Sequence, residues 1–186
     1  MITERRLILA GLAFVGTASI AGAQTQRPAS EVSAALMNFS AVTTAPQFYT
    51  GVLGPAELSL ATSQLAVEKA TQKNAHEFAG FELGEAITVK MVLKDIGAAA
   101  PTMTANGTAT IQKIKATTGA AFDRAYIGFQ LQNHEYLRDL ADAYLHNSAG
   151  ANDPMEKQGR HLAMLMLAVF KEHVAICKRI TGELNA

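Results

Sequence analysis

The chain has 186 residues, with 16 Lys and Arg against 16 Asp and Glu, 49% hydrophobic residues and one cysteine. A neutral balance without a run of Lys or Arg excludes the electrostatic footprint of a nucleic-acid binder or of a protein held on an anionic membrane surface. A lone Cys177 excludes an internal disulfide, so packing must supply the stability; in an apolar helical stripe this cysteine reads as a small buried hydrophobe.

The N-terminus, MITERRLILAGLAFVGTASIAGAQTQ, has a basic head at Arg5 and Arg6, an apolar run from Leu7 to about Ile20, and small residues ending in Ala21-Gly22-Ala23. This pattern predicts a cleavable export signal over residues 1–23, with a mature start at Gln24. The run is short of the ~20 residues that span a bilayer, so no transmembrane span is expected in the mature chain. Arg5-Arg6 ahead of Leu7-Ile8-Leu9 also resembles a twin-arginine signal, which leaves both export routes open. Removing the signal leaves 163 residues with 14 basic and 15 acidic side chains, enough for one domain. The expected location is the periplasm or outer envelope of a bacterium.

Residues 24–54, rich in Ala, Ser, Thr and Gln, read as a loose leader with a possible short helix at 30–39. Gly54-Pro55 is expected to open the first long helix, which runs to about Lys73, because Pro fits a first helical turn. A second helix is predicted from Asn74 or Ala75 to Ile96, stopped by Gly97, and AAAPTMTANG then forbids continuation. A short helix at 108–117 precedes a third long one at 120–146. After the turn NSAGANDP, with Asp153 as cap and Pro154 at the first helical position, a last helix covers 155–182. Four long helices and no strand alternation predict an all-α, antiparallel four-helix bundle over residues 55–182, with a short extra helix before the third long one.

The polar residues on apolar faces are the informative ones. On the second helix Phe78, Phe81, Glu82, Glu85, Val89, Leu93 and Ile96 share one sector, so two carboxylates stand among hydrophobes. On the last helix Leu162, Leu165, Met166, Val169, His173, Ile176, Cys177 and Ile180 form a stripe with His173 inside it. On the third, Phe122, Tyr126, Phe129, Asn133, Leu137, Leu140 and Tyr144 face inward, with Asp123 and His134 on the flank. Glu82, Glu85, Asp123, Tyr126, His134 and His173 are therefore the candidate polar core cluster.

Carboxylates and imidazoles projecting inward from facing helices can hold iron or manganese, but a dinuclear site needs Glu-x-x-His on two helices. Here the second helix offers Glu82-x-x-Glu85, and Phe170 stands three residues before His173. Two readings remain: an ion-paired, hydrogen-bonded cluster that fixes helix register with no cofactor, or a single transition metal ion held among Glu82, Glu85, His134 and His173. No phosphate loop, cysteine pair or Ser/His/Asp arrangement suggests enzyme chemistry. His76, His146 and His161 read as solvated, and Met155, Met164 and Met166 as gap fillers between helices.

GAAFDRAYIGFQLQNHEYL (119–137) and LAVFKEHVAICKRI (167–180) resemble a bacterial envelope family known as domain of unknown function 4142. Phe122-Asp123-Arg124-Ala125-Tyr126, His134 and His173 carry the likeness; QLAVEKA (64–70) and Phe78-Ala79 extend it over roughly 47–180. The resemblance implies a ferritin-like fold and no particular reaction. It also marks departures: Glu85-Ala86-Ile87 where the family has Asp-His-Thr, Ser59-Leu60-Ala61 where it has Glu-x-Glu, and Leu167-Ala168 where it has Leu-Pro. The expected function is that of a non-enzymatic envelope protein acting through an unidentified protein or envelope partner or in stress. The alternative is a metal-binding or oxidative-stress protein using the Glu/His cluster.

Overall fold

The computed structural model describes residues 39–99 and 101–186, which form five α-helices and a 3-10 turn at Phe39–Ala41, with no strand among the described residues. The helices are α1 (Ala45–Lys69), α2 (Lys73–Asp95), α3 (Ala105–Lys115), α4 (Gly119–Asn147) and α5 (Pro154–Leu184). The expected signal and the helix expected at 30–39 lie almost wholly outside the described residues.

The largest departure from the sequence reading is at the first helix, which also ends at Lys69 and not near Lys73; the short helix expected at 108–117 spans Ala105–Lys115. The first helix begins at Ala45, not at Pro55, so residues 45–54 belong to α1 and not to a loose leader. Pro46 occupies the first turn, and Gln47 Oε1 accepts the Thr44 N–H at 3.1 Å. Pro55 then sits in the helix interior, where it costs about 3 kcal/mol. Phe48, Tyr49, Val52 and Leu53 are all buried in the same stretch, and at ~1.5–3 kcal/mol each they outweigh that cost.

The other helix ends follow local chemistry. Gln72 accepts from Ala75 N–H to start α2, Thr104 from Gly107 N–H to start α3, and Asp153 from Glu156 N–H to start α5. Glycines with positive φ mark the exits at Gly97 (84°) and Gly150 (88°), a region where only glycine is unstrained. Lys69 Nζ donates to the Lys115 and Thr117 carbonyls at 2.6 and 2.8 Å, placing a cation at the C-terminus of α3.

Cross-helix bonds give the helix senses. Glu57 pairs with Lys90 at 2.7 Å and Val67 O with His76 at 3.1 Å, so α1 and α2 are antiparallel. Ser59 meets Gln130 and Ser63 meets Tyr126, so α1 and α4 are too. Tyr144 meets Glu156 and His134 meets His173, which does the same for α4 and α5. Near the α4–α5 turn Glu156 accepts the Ala45 N–H at 2.9 Å and the Tyr144 hydroxyl at 2.8 Å, seating an anion on the N-terminus of α1. Gly159 permits this close crossing, since a Cβ there would lie 2.5 Å from Ala45 Cβ and 2.7 Å from the Tyr144 hydroxyl.

The core has two apolar halves. One gathers Phe48, Leu53, Leu93, Leu140 and Tyr144; the other gathers Phe78, Phe122, Tyr126, Ile127 and Ile180. Between them runs a buried polar belt of Ser59, Thr62, Ser63, Gln130, Asn133, Glu82, His134 and His173.

Candidate metal centre

The belt has two parts joined at Gln130. Toward α1, its side-chain amide accepts from Ser59 Oγ at 2.8 Å and donates to the Thr62 and Ser63 hydroxyls at 3.2 Å, while Asn133 donates to Ser59 Oγ at 3.1 Å. Of this ladder the sequence reading placed Asn133 and Tyr126 on the inward face; short hydroxyls on an Ala-rich helix give no periodic signal. Toward α2 and α5, the Gln130 backbone carbonyl lies 2.8 Å from His134 Nδ1. A carbonyl can only accept, so Nδ1 carries the proton and Nε2 presents its lone pair to the interior.

At that point three helices converge. Glu82 Oε2 from α2 lies 3.2 Å from His134 Nε2 on α4 and 3.0 Å from His173 Nδ1 on α5. The two imidazole nitrogens are 3.0 Å apart. His173 Nε2 faces Glu85 Oε2 at 3.0 Å, at the half-exposed edge of the cluster. Phe78 sets its ring edge-on to both imidazoles, with centroids at 6.2 and 5.1 Å, and Phe170 flanks His134 at 6.1 Å. These aromatic contacts leave the imidazoles little room to turn.

Distances near 3 Å suit hydrogen bonds, but the directions do not all agree. The His173 Nδ1–H···His134 Nε2 contact is aligned, whereas Glu82 Oε2, though close to both nitrogens, has no donor along its lone pairs. It is one of two such buried side-chain atoms among the described residues, with Asn133 Oδ1. An orphaned buried carboxylate oxygen is costly. Three potential ligand atoms in a triangle with edges of 3.0, 3.0 and 3.2 Å have a second solution once the His173 Nδ1 proton is displaced. Ligands about 2.0–2.2 Å from one metal ion lie about 2.8–3.1 Å apart on an octahedral edge and about 3.3–3.6 Å apart on a tetrahedral one.

Electrostatics couple these groups to one another. Burial acts to raise the Glu82 carboxyl, but His134 and His173 together outweigh it and hold the group well below the usual carboxylate range. Burial acts to lower His173, and the carboxylates of Glu82 and Glu85 reverse this and lift it to about 9. Burial first, and the Glu82 charge second, push the Cys177 thiol far up, so it behaves as the inert hydrophobe expected of it.

The structure divides the six candidates. Glu82, Glu85, His134 and His173 meet. His134, placed on a flank by the periodicity, is buried because that flank faces α5. Asp123 is also buried but lies elsewhere: its carboxylate accepts from Thr71 N–H (2.9 Å), Thr71 Oγ1 (2.6 Å) and Gln72 N–H (2.9 Å), closing the α1–α2 turn. Tyr126 bonds Ser63 Oγ at 2.9 Å and packs on Phe122, so it serves the α1–α4 ladder. Met155 and Met164 are exposed and not gap fillers, and Phe81, Leu165 and Ile96 leave the apolar stripes assigned to them and face solvent.

Beside the cluster lies a cavity of about 280 Å³. Ala86, Val89 and Val92 of α2 form one wall, Leu162, Met166 and Val169 of α5 the other, and Val52, Ala56 and Leu137 the floor, with Glu82, Glu85, His134 and His173 at one end. It forms because α2 packs along α1 and α5 along α4, leaving the seam between α2 and α5 unfilled. Ser59 and Ala86, two of the small residues marked above as departures, both line it.

Fold and site thus define a class: an all-helical protein with a buried carboxylate–imidazole cluster at the end of an apolar cleft. The chain belongs to the family described as domain of unknown function (DUF4142), which matches residues 27–180. Comparison with curated proteins and with solved structures returns no match. Among the described residues no helix is long and apolar enough to cross a membrane.

Proposed function

We propose that this is an exported bacterial envelope protein of ferritin-like arrangement that binds one transition-metal ion through Glu82, His134 and His173. The observation that carries the metal reading is the triangle of three buried ligand atoms, with Glu82 Oε2 at its corner close to both imidazoles but without an aligned hydrogen bond. Each imidazole also has an outer acceptor for its other nitrogen, the Gln130 carbonyl for His134 and Glu85 for His173, the arrangement that orients metal-ligating histidines. Two nitrogens and one oxygen suit zinc, iron, nickel or copper, and three protein ligands leave positions open. Glu82, His134 and His173 are the one such group among the described residues, which favours a mononuclear centre.

The ferritin-like arrangement is supported by the pairwise helix senses and by α3 carrying the crossing between α2 and α4. Export is supported by the basic head, apolar run and small-residue site of residues 1–23. Metal analysis of protein purified from the native periplasm without a chelating tag tests the proposal. The expected result is one metal per chain, lost in His173→Ala; a metal-poor parent protein, or an unchanged content in that variant, sinks it.

A second reading, a non-enzymatic role through contacts with an envelope partner, draws on the exposed Phe81, Met91 and Leu165. Cross-linking in the native envelope tests it: adducts lost in Leu165→Glu support it, and adducts that persist count against it.

A further inference from the structure

We propose that the cleft between α2 and α5 binds an uncharged hydrophobic molecule of roughly ten heavy atoms carrying one hydroxyl or carbonyl oxygen, seated with that oxygen at the Glu82–His134–His173 end. Size, lining and charge each contribute. The volume of about 280 Å³ is nearly twice that of the ~150 Å³ apolar cavity that accepts benzene. Its walls at Ala86, Val89, Leu162, Met166 and Val169 are apolar, and the lining hydroxyls of Ser59 and Thr88 are already bonded to Gln130 and to the Gly84 carbonyl, so a tail there meets mostly hydrocarbon and thioether. Leu165, 70% exposed, stands at the mouth and leaves the entrance open to solvent.

The polar end sets the head group. In this respect the inference rests on the metal reading above, because the open coordination positions would face the cleft. A divalent ion balances the charges of Glu82 and Glu85, so a neutral oxygen donor completes the site without burying net charge. An anionic head would add an uncompensated charge, and a cationic head would confront the ion. In metal-free protein the same end still offers the half-exposed Glu85 carboxylate, which has lone pairs beyond the one facing His173, as an acceptor for a hydroxyl.

The test uses the purified mature protein loaded with Co²⁺ and three probes of one shape: 2-naphthol, naphthalene and 2-naphthoate. Titration calorimetry reads binding, and the Co²⁺ visible spectrum reads whether oxygen reaches the metal. The expected result is 2-naphthol binding with a changed Co²⁺ spectrum, naphthalene and 2-naphthoate at least tenfold weaker, and naphthalene leaving the spectrum unaltered. Val169→Trp, which fills the cleft from its partly exposed rim, should weaken 2-naphthol at least tenfold while Co²⁺ stoichiometry stays at the parent value. No 2-naphthol binding, equal binding by Val169→Trp, or tighter binding of 2-naphthoate overturns the inference. Failure to take up Co²⁺ overturns the metal reading alone. In that case 2-naphthol binding to the metal-free protein, lost in Val169→Trp, still supports the cleft, and its absence rejects it.

Discussion

His134 Nδ1 donates to the carbonyl of Gln130, one helical turn earlier, at 2.8 Å, and this contact decides what the centre of the protein can do. It fixes the tautomer, turns Nε2 toward Glu82 and His173, and ties the α1–α4 ladder to the cluster through a single residue. Because the acceptor is backbone, no substitution at Gln130 removes it. The imidazole is therefore positioned by the helix itself.

The cluster should be more sensitive to loss of His173 than to neutralisation of Glu82. His173→Leu leaves the buried Glu82 carboxylate without its nearer cation, which costs roughly 1–3 kcal/mol or more. Glu82→Gln keeps shape and hydrogen-bonding capacity and should cost less. Denaturant melts of metal-free proteins compare them; a His173→Leu variant as stable as the parent would mean that the buried pair contributes nothing.

Stability of the metal-free protein should depend on pH in a stated direction. His173 is raised from 6.5 to about 9, so its contribution is complete below pH 6.5 and lost as pH rises through 9. Glu82 is lowered from 4.5, so its contribution is complete above 4.5 and declines as pH falls through its lowered value. The unfolding free energy with a chelator present, read from denaturant melts, should peak between pH 4.5 and 6.5 and fall toward pH 9, by an amount on the order of 1–3 kcal/mol. A flat profile from pH 6 to 9 contradicts this.

Metal binding should release a proton. At pH 7 His173 is an imidazolium, and coordination through Nδ1 must displace the proton there while Nε2–H stays directed at Glu85. Calorimetry in buffers of different ionisation enthalpy should count about one proton per ion, with affinity rising between pH 6 and 8. A proton count near zero would place the ion elsewhere.

Asp123→Asn separates fold from site. The amide loses an acceptor at the α1–α2 turn, where the carboxylate takes three bonds, and should cost roughly 1.5–3 kcal/mol. Metal content should stay at the parent value, since Asp123 lies outside the triangle. Loss of metal from a variant that remains folded would return Asp123 to the site.

Gly159→Ala should destabilise by about 1–3 kcal/mol through overpacking, because the added carbon meets Ala45 and the Tyr144 hydroxyl at 2.5 and 2.7 Å. Gly128→Ala on α4, where a Cβ meets nothing within 4 Å, is the control and should be neutral or stabilising. Equal melting temperatures for the two variants would show that the α1–α5 crossing has room for the added carbon.

Local chemistry written in the chain was enough for the helix count, most helix ends and the composition of the centre. Asp153, Gly97 and Pro154 act within one turn of their own positions, and a 3.6-residue period puts His173 and Glu82 inward whatever lies opposite. Pro55 misled for the complementary reason: its penalty is local, while the burial of Phe48 and Leu53 that outweighs it comes from α4 and α5. Periodicity also could not say which inward groups meet. Asp123 and His134 sit eleven residues apart on α4, and packing sends one to the α1–α2 turn and the other to α2 and α5. The cleft was invisible too, because it arises from how far α2 stands from α5, a distance set by the neighbours each helix packs along and not by the residues of either helix alone.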